Sequence, residues 1–403
     1  MTSADTRPTV APVADPSPLR VLHLGFEDPE MPGSGGGSVR TREIDHRLAA
    51  QGMQLTVLTT RWPGCQDGEV DGVRYEHVGI GRGVNRLTRL LGYVAALPFA
   101  VRRHRDADLV VEDFMPPFSS MAVPLWTRRP VIGMVQWLHA RQKARQYKIP
   151  FHLVERAAVR THRQLIAVSH GTAEQLRAMN PRASVQVIGN GVDPELFAQL
   201  PQPGHDVLCI GRLELGGKGL DLLLQAWAQA EGRVDGDLVI AGGGPDEGRV
   251  RELASRLGVS SRVRFVGWVR GSEKARLFAS SRLVVVPSRA ETFGIVAVEA
   301  LAAGTPVLAF DIPCLREVVP ADCGRLVPAF DVQALATAMV ELHAAAGQSP
   351  ALGHAARSFA ADYDWDALAR QQADVYRAAA APRPRAARGV RRDIRPRVVG
   401  WQS

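Results

Sequence analysis

Apolar positions along the chain fall into short continuous runs separated by stretches of helical spacing. Arg20 to Gly25 reads RVLHLG and Asp206 to Gly211 reads DVLCIG, each a β-rich run closed by a glycine. The first is followed by QLTVLTT (54–60), DLVVED (108–113), PVIGMV (130–135), QLIAVS (164–169) and VQVIGN (185–190). The second is followed by DLVIAGGG (237–244), VRFVGWV (263–269), RLVVVPS (282–288), PVLAF (306–310) and GRLVP (324–328). Between them lie segments of helical periodicity, among them VRTREIDHRLAAQG, DLLLQAWAQA, RVRELASRLG, SEKARLFASS and DVQALATAMVELHAAA. Runs that are apolar throughout predict strands covered on both faces, hence parallel sheets flanked by helices. The pattern occurs twice. It predicts an α/β fold of two Rossmann-like domains facing each other across a cleft, with ligands held at the carboxyl ends of the strands.

Length and composition agree with this division. A chain of 403 residues with 46% hydrophobic content is long enough for two packed cores. The boundaries read as a polar, proline-rich extension (1–19), an N-terminal domain (20–200), a C-terminal domain (201–362), a helical segment (363–380) and a basic tail (381–403) expected to be disordered. The net charge of +8 is concentrated in that tail, where seven arginines from Arg383 to Arg397 meet one acid, Asp393. The domains themselves are nearly balanced, which argues against a nucleic-acid partner.

No segment has the form of a signal peptide or the ~20 apolar residues of a membrane span. Cys65, Cys209, Cys314 and Cys323 form no C-x-x-C pair and read as buried thiols, which suits a cytoplasmic location. VNRLTRLLGYVAALPFAVRRHR (84–105) is apolar with arginines at both ends. It could rest peripherally on a membrane surface, although an ordinary packing helix is the plainer reading. Oligomeric state is not legible.

Chemistry is sought at the strand ends. Gly211 is followed by RLELGGKG, where Arg212 and Lys218 on a glycine-rich loop suit a polyanion such as a diphosphate. GGGPD (242–246) allows close backbone approach but lacks the ending of a P-loop. In PSRAETFGIVAVEALAAGTPV (287–307) a helix is expected to begin at Phe293-Gly294 and run to about Ala303, with the N–H groups of Phe293, Gly294 and Ile295 forming an anion site. Glu299 then lies on an apolar helix, where a lone carboxylate costs several kcal/mol unless partnered. Either an arginine pairs with it, or ligand hydroxyls donate to it. Glu291 beside the anion site likewise suits hydroxyls. An anion flanked by two hydroxyl-binding carboxylates describes a nucleoside diphosphate sugar.

The opposite wall would come from PGSGGGS (32–38), FMPPF (114–118) and QWLHARQKARQYK (136–148), the last with five basic side chains that suit an anionic acceptor or a solvated basic face.

Together VIGNGVDPELF (187–197), GRLELGGKG (211–219), GGGPD (242–246), FVGWV (265–269) and the Glu291-x7-Glu299 segment resemble the retaining glycosyltransferases of family 4, of the GT-B fold, over most of residues 20–378. The resemblance implies that 20–200 receives the acceptor and 201–362 the donor, and that the 363–380 helix returns toward the N-terminal domain. It implies that Arg212 and Lys218 bind the donor diphosphate and, with Glu291 on the sugar hydroxyls, carry catalysis. Phe293, Gly294 and Ile295 would offer backbone contacts, Glu299 would hold the ribose, and Gly267 and Trp268 would border the base. Gly36 and Gly37 match the N-terminal glycine loop, and Gly211 the donor-side one. Where many members place a histidine after the PVIGMV-type strand, this chain has Gln136, with His139 three residues later. These two and Glu112 are the acceptor-side candidates.

The function expected is retaining transfer of a hexosyl or N-acetylhexosaminyl group, with a UDP-sugar favoured as donor, to the hydroxyl of a small molecule, glycan or lipid. No Asp-x-Asp motif follows a suitable strand, so neither metal nor cofactor is expected. A nucleotide-sugar 2-epimerase and a glycoside phosphorylase share the architecture. A binding protein that has lost activity would be expected to lack one of Arg212, Lys218, Glu291 or Glu299.

Overall fold

The computed structural model describes residues 17–31, 36–81, 86–114, 122–138, 150–202, 204–230, 232–348 and 350–381. Two sheets organise the chain. The first contains β1 (Arg20–Leu24), β2 (Gln54–Thr60), β3 (Gly68–Val70), β4 (Val73–Val78), β5 (Leu109–Asp113), β6 (Val131–Val135), β7 (Gln164–Ala167) and β8 (Ser184–Val187). Their order is β3-β4-β2-β1-β5-β6-β7-β8, parallel throughout except for β3, which runs antiparallel to β4. The second contains β9 (Val207–Ile210), β10 (Leu238–Ala241), β11 (Val263–Gly267), β12 (Leu283–Val286), β13 (Val307–Phe310) and β14 (Gly324–Val327). It is wholly parallel in the order β11-β10-β9-β12-β13-β14. Each domain is thus doubly wound, and β1 and β9 lie where the strand order reverses, the position at which such sheets bind ligands.

The continuous apolar runs become strands buried on both faces. In β1, Val21 packs with Ile44 and Leu48, while Leu22 and Leu24 on the other face pack with Leu58, Tyr93 and Leu97. Each side chain buried this fully contributes about 1.5–3 kcal/mol. The hairpin of β3 and β4 is absent from the sequence reading. VRYEHV alternates buried and exposed positions and GEV is exposed throughout, so neither carries the continuous apolar signal of the inner strands. Helix Arg86–Arg103 buries Leu90, Tyr93, Leu97 and Val101, as a packing helix should. Its outer face leaves Leu91 and Phe99 exposed. No helix of the described residues is long and apolar enough to cross a membrane.

Several contacts among the described residues join the domains. The final helix, Trp365–Ala380, lies on the first domain, where Asp366 meets Arg47 at 2.5 Å and Gln372 Oε1 accepts from Arg40 at 3.0 Å. Its approach is fixed by the Val192 N–H, which donates to the Tyr363 carbonyl at 3.0 Å. Glu317 of the second domain accepts the N–H groups of His170 and Gly171 at 2.7 and 2.8 Å. It thereby caps the positive end of helix His170–Met179. One apolar cluster runs from Val21 and Ile44 through Ile188, Val192 and Trp365 to Val207 and Leu301.

Candidate active site

The strand ends of both sheets open onto one cleft of about 1600 Å³. On the second domain, β9 ends at Ile210 and Gly211 turns the chain with φ +150°. Gly242, with φ +127°, packs so closely that a Cβ there would lie 1.9 Å from the Gly211 carbonyl oxygen. The two strand ends can therefore meet only as glycines.

The Arg212–Lys218 loop and the Glu291 loop are tied together by polar contacts. Lys218 Nζ donates to Glu291 Oε1 at 2.5 Å, and Ser288 Oγ donates to the same oxygen at 2.8 Å. Arg289 forms a two-pronged pair with Asp221 at 2.7 Å on each side and donates to the Leu215 carbonyl at 2.9 Å. Its own N–H donates to the Gly217 carbonyl at 2.8 Å. The hydrogen bonds from Arg289 hold the Asp221 carboxyl below the usual carboxylate range. Gly219 adopts φ +63° directly against Pro287, where a Cβ would lie 2.0 Å from the carbonyl oxygen. Underneath, Cys314 Sγ donates to the Glu291 carbonyl at 3.2 Å. Burial pushes that thiol up to about 12, so it acts as an inert donor.

Helix Ile295–Ala302 starts two residues later than its sequence suggests. Gly294 takes the N-cap position with φ +86°, where a Cβ would be strained and would meet Leu315 at 2.7 Å, so the position requires glycine. Phe293 precedes the helix, stacks edge-on against Tyr363 and lies beside Gly189, while Gly294 and Ile295 line the cleft with it. Glu299, 8% exposed, has a partner, but it is Lys274 and not an arginine. Lys274 Nζ reaches Oε1 at 2.6 Å, and Oε2 has no hydrogen-bond partner among the described residues. Burial raises the pKa of this carboxyl while the Lys274 ammonium opposes that shift. A carboxylate with one oxygen paired and the other left over, lining a cleft, is set up to accept from a ligand. Trp268, 64% exposed, forms the far edge of the cleft above Gly243.

Not every candidate from the sequence meets the cleft. Arg212 opens on a small adjoining pocket that shares Gly211, Lys218 and Glu291 with it, and its guanidinium makes no ion pair among the described residues. Gly267 ends β11 with φ +73° behind the lining. Gly36 opens helix Gly36–Ala50 and Gly37 lines the cleft, where Gln136 Nε2 donates to its carbonyl at 3.3 Å. Gln136 itself lines the cleft, and His139 falls outside the described residues. Glu112 must be corrected. It is fully buried with its carboxylate 2.5 Å from His162, on the face of β5 turned away from the cleft. Its neighbour Asp113 lines the cleft instead, because adjacent strand residues point to opposite faces.

Five residues that the sequence does not single out complete the site. Lys274 supports Glu299. Arg40, 2% exposed, donates to the Ile188 carbonyl at 3.3 Å and to Gln372. His23 stands between Asp45, at 2.7 Å, and Asp113, at 3.5 Å. Burial opposes a charge on His23, but the two carboxylates outweigh it and push its pKa up to about 10. In the sequence this network is marked by a lone histidine inside the apolar β1 run.

Comparison with known proteins places these features. A family model described as "Glycosyl transferases group 1" matches residues 204–345, and one described as "Glycosyltransferase Family 4" matches 34–196. The D-inositol 3-phosphate glycosyltransferase 1 of Catenulispora acidiphila is 31% identical over 402 residues, covering 90% of this chain and 95% of that one. The D-inositol 3-phosphate glycosyltransferase of Xylanimonas cellulosilytica is 30% identical, covering 91% of this chain and 97% of that one, whereas an uncharacterized glycosyltransferase of Methanocaldococcus jannaschii, also 30% identical, is covered over 63% of its length. Among solved structures, sucrose-phosphate synthase from Thermosynechococcus elongatus has a TM-score of 0.75 at 23% identity, covering 89% of this chain and 98% of that one. The Anabaena HepE structure with UDP-glucose has a TM-score of 0.69 at 20% identity, covering 89% and 100%. At those identities the structural likeness speaks for the fold, which is GT-B.

Proposed function

The chain belongs to the family 4, group 1 glycosyltransferases, and from that premise we propose that it transfers a hexosyl or N-acetylhexosaminyl group, with retention, from a UDP-sugar to an acceptor hydroxyl. The observation that carries this reading is the pair of carboxylates on one cleft wall, Glu291 tied to Lys218 and Glu299 half-paired to Lys274. Glu299 Oε2 suits the ribose hydroxyls and Glu291 those of the sugar, while Lys218, Arg212 and the start of helix Ile295–Ala302 face the diphosphate. When the donor enters, the short Lys218–Glu291 contact is replaced by contacts from each group to the ligand. Trp268 borders the base. A uracil ring is preferred here by analogy with the UDP-glucose complex of the similarly folded Anabaena protein.

In the reaction the bond from the anomeric carbon to the diphosphate breaks and the acceptor oxygen attacks from the same face. The acceptor proton passes to a donor phosphate oxygen. Lys218, Arg212 and the helix start offset the charge that develops on the leaving group, so turnover should need no divalent cation. Gln136 can hold a hydroxyl but not take its proton, which agrees with a path lacking a protein base. The test is transfer from UDP-glucose, UDP-N-acetylglucosamine and GDP-mannose in excess EDTA, with the anomeric configuration of the product read by NMR. A UDP-sugar should be used and its α configuration kept. Use of GDP-mannose alone would refute the UDP assignment, and an inverted product would refute the mechanism. Donor isomerised without acceptor would favour the epimerase reading, and phosphate-dependent cleavage the phosphorylase one.

A further inference from the structure

The first domain's wall of the cleft carries an ionisable row that donor binding leaves unused. Asp113, 7% exposed, lines the cleft at the end of β5. Its Oδ2 accepts from Thr41 Oγ1 at 3.2 Å. Its Oδ1 lies 3.5 Å from His23 Nε2, and neither of those atoms completes a hydrogen bond among the described residues. His23 in turn meets Asp45 at 2.7 Å, and those two side chains are 2% and 0% exposed.

The row ties β1 to helix Gly36–Ala50, and each end keeps one carboxylate oxygen without a hydrogen bond among the described residues, Asp45 Oδ1 in the interior and Asp113 Oδ1 beside His23. Of the two carboxylates only Asp113 lines the cleft, so only there can a ligand reach the row. The Asp113 side chain is 10% exposed, and that exposed part is what a donor group in the cleft would meet.

The surroundings select the kind of donor. Glu27 and Glu43, the latter paired with Arg47 at 2.6 Å, also line this wall, whereas its one described cation, Arg40, is held by the Ile188 carbonyl and Gln372. A phosphate placed against Asp113 would meet like charge, while hydroxyl hydrogens would be attracted. Phe26, Met134 and Trp137 add apolar surface suited to the C–H face of a ring. The geometry points to Asp113 as the residue that accepts a hydroxyl of an uncharged sugar or polyol acceptor, with His23 and Asp45 as positioning residues that fix its carboxylate. This deepens the glycosyltransferase reading above and rests on it.

The test uses the full chain with UDP-glucose or GDP-mannose, whichever is consumed, and three acceptor probes: myo-inositol, methyl α-D-glucopyranoside and inositol 3-phosphate. Wild type should transfer to a neutral probe more efficiently than to the phosphorylated one. Asp113→Asn should raise the KM of the neutral probe at least tenfold while UDP affinity, read by calorimetry, stays within twofold. His23→Gln should raise that KM with a smaller effect on kcat, a split that a general loss of packing would not produce. Should Asp113→Asn fail to fold, Thr41→Val removes the hydroxyl that steadies Oδ2 and should raise the same KM several-fold. Transfer only to inositol 3-phosphate, transfer to no probe by a protein that binds UDP, or an unchanged KM in Asp113→Asn or, where that variant does not fold, in Thr41→Val would each overturn the assignment. Loss of UDP binding by wild type would instead strike the donor reading.

Discussion

The two walls of the cleft are built by opposite means. The donor wall is a pair of surface loops, clasped by Lys218 to Glu291 and Arg289 to Asp221, with the four side chains 15–33% exposed. The wall proposed to hold the acceptor rests on a buried row, Asp45, His23 and Asp113, whose side chains are at most 10% exposed. Such partly exposed pairs lie between surface pairs, commonly worth ~0–1 kcal/mol, and buried ones, and can be exchanged for ligand contacts more readily than buried pairs. Buried pairs are costly to break and hold one geometry. The donor wall is therefore suited to receiving and releasing a polyanion each cycle, and the acceptor wall to holding one orientation.

The largest effect that would sharpen this contrast is at Lys218. Lys218→Ala should lower turnover roughly 100-fold or more while melting close to wild type, since its ion pair is one-third exposed on the lysine side. Near-normal turnover would show that leaving-group charge is managed elsewhere. Next comes Gly219→Ala, which forces a Cβ to within 2.0 Å of the Pro287 carbonyl oxygen. About 2–3 kcal/mol of stability should be lost, measured by urea unfolding, together with donor affinity as the two loops part. A neutral outcome would mean the clasp tolerates rearrangement.

The smallest effect is in pH dependence, and the walls should fail at opposite ends. The His23 pKa is raised from 6.5 to about 10, so its contribution to stability is full below 6.5 and is lost as pH rises toward 10. The Asp221 pKa is lowered, so its contribution is present above the ordinary value of 3.8 and lost as pH falls below it. Thermal melts of His23→Gln and Asp221→Asn should lose the alkaline and the acid component respectively. If both variants change the same limb, the contrast is wrong.

What could be read from the sequence follows the same division. The donor wall lies in loops whose residues are spaced by the chain itself, from Arg212 to Lys218 and from Glu291 to Glu299, so the chemistry sits in short motifs. The inner strands were equally legible because both of their faces are apolar. The acceptor wall is assembled from β1, helix Gly36–Ala50 and β5, three separate segments, and no local spacing joins His23 to Asp45 and Asp113. DLVVED ends in two acids, and a one-residue difference in register decides which faces the cleft. Composition cannot supply that register, hence the choice of Glu112. Lys274 was equally hidden, since a lysine in SEKARLFASS looks like any solvated helical position until Glu299 is seen beside it. The start of the helix at Ile295 goes with the left-handed φ of Gly294, and the crowding by Leu315, 21 residues on, that keeps this position a glycine exists only in the fold.

The central claim is that the acid on the Ile295–Ala302 helix serves a ligand as well as its lysine. Calorimetric titration of UDP into wild type and Glu299→Gln, with melting temperatures recorded for both, tests it most directly. The account predicts at least tenfold weaker UDP binding, about 1.4 kcal/mol, with little change in melting. Normal UDP affinity in a variant that melts markedly lower would contradict it, leaving Glu299 as the buried partner of Lys274 and nothing more.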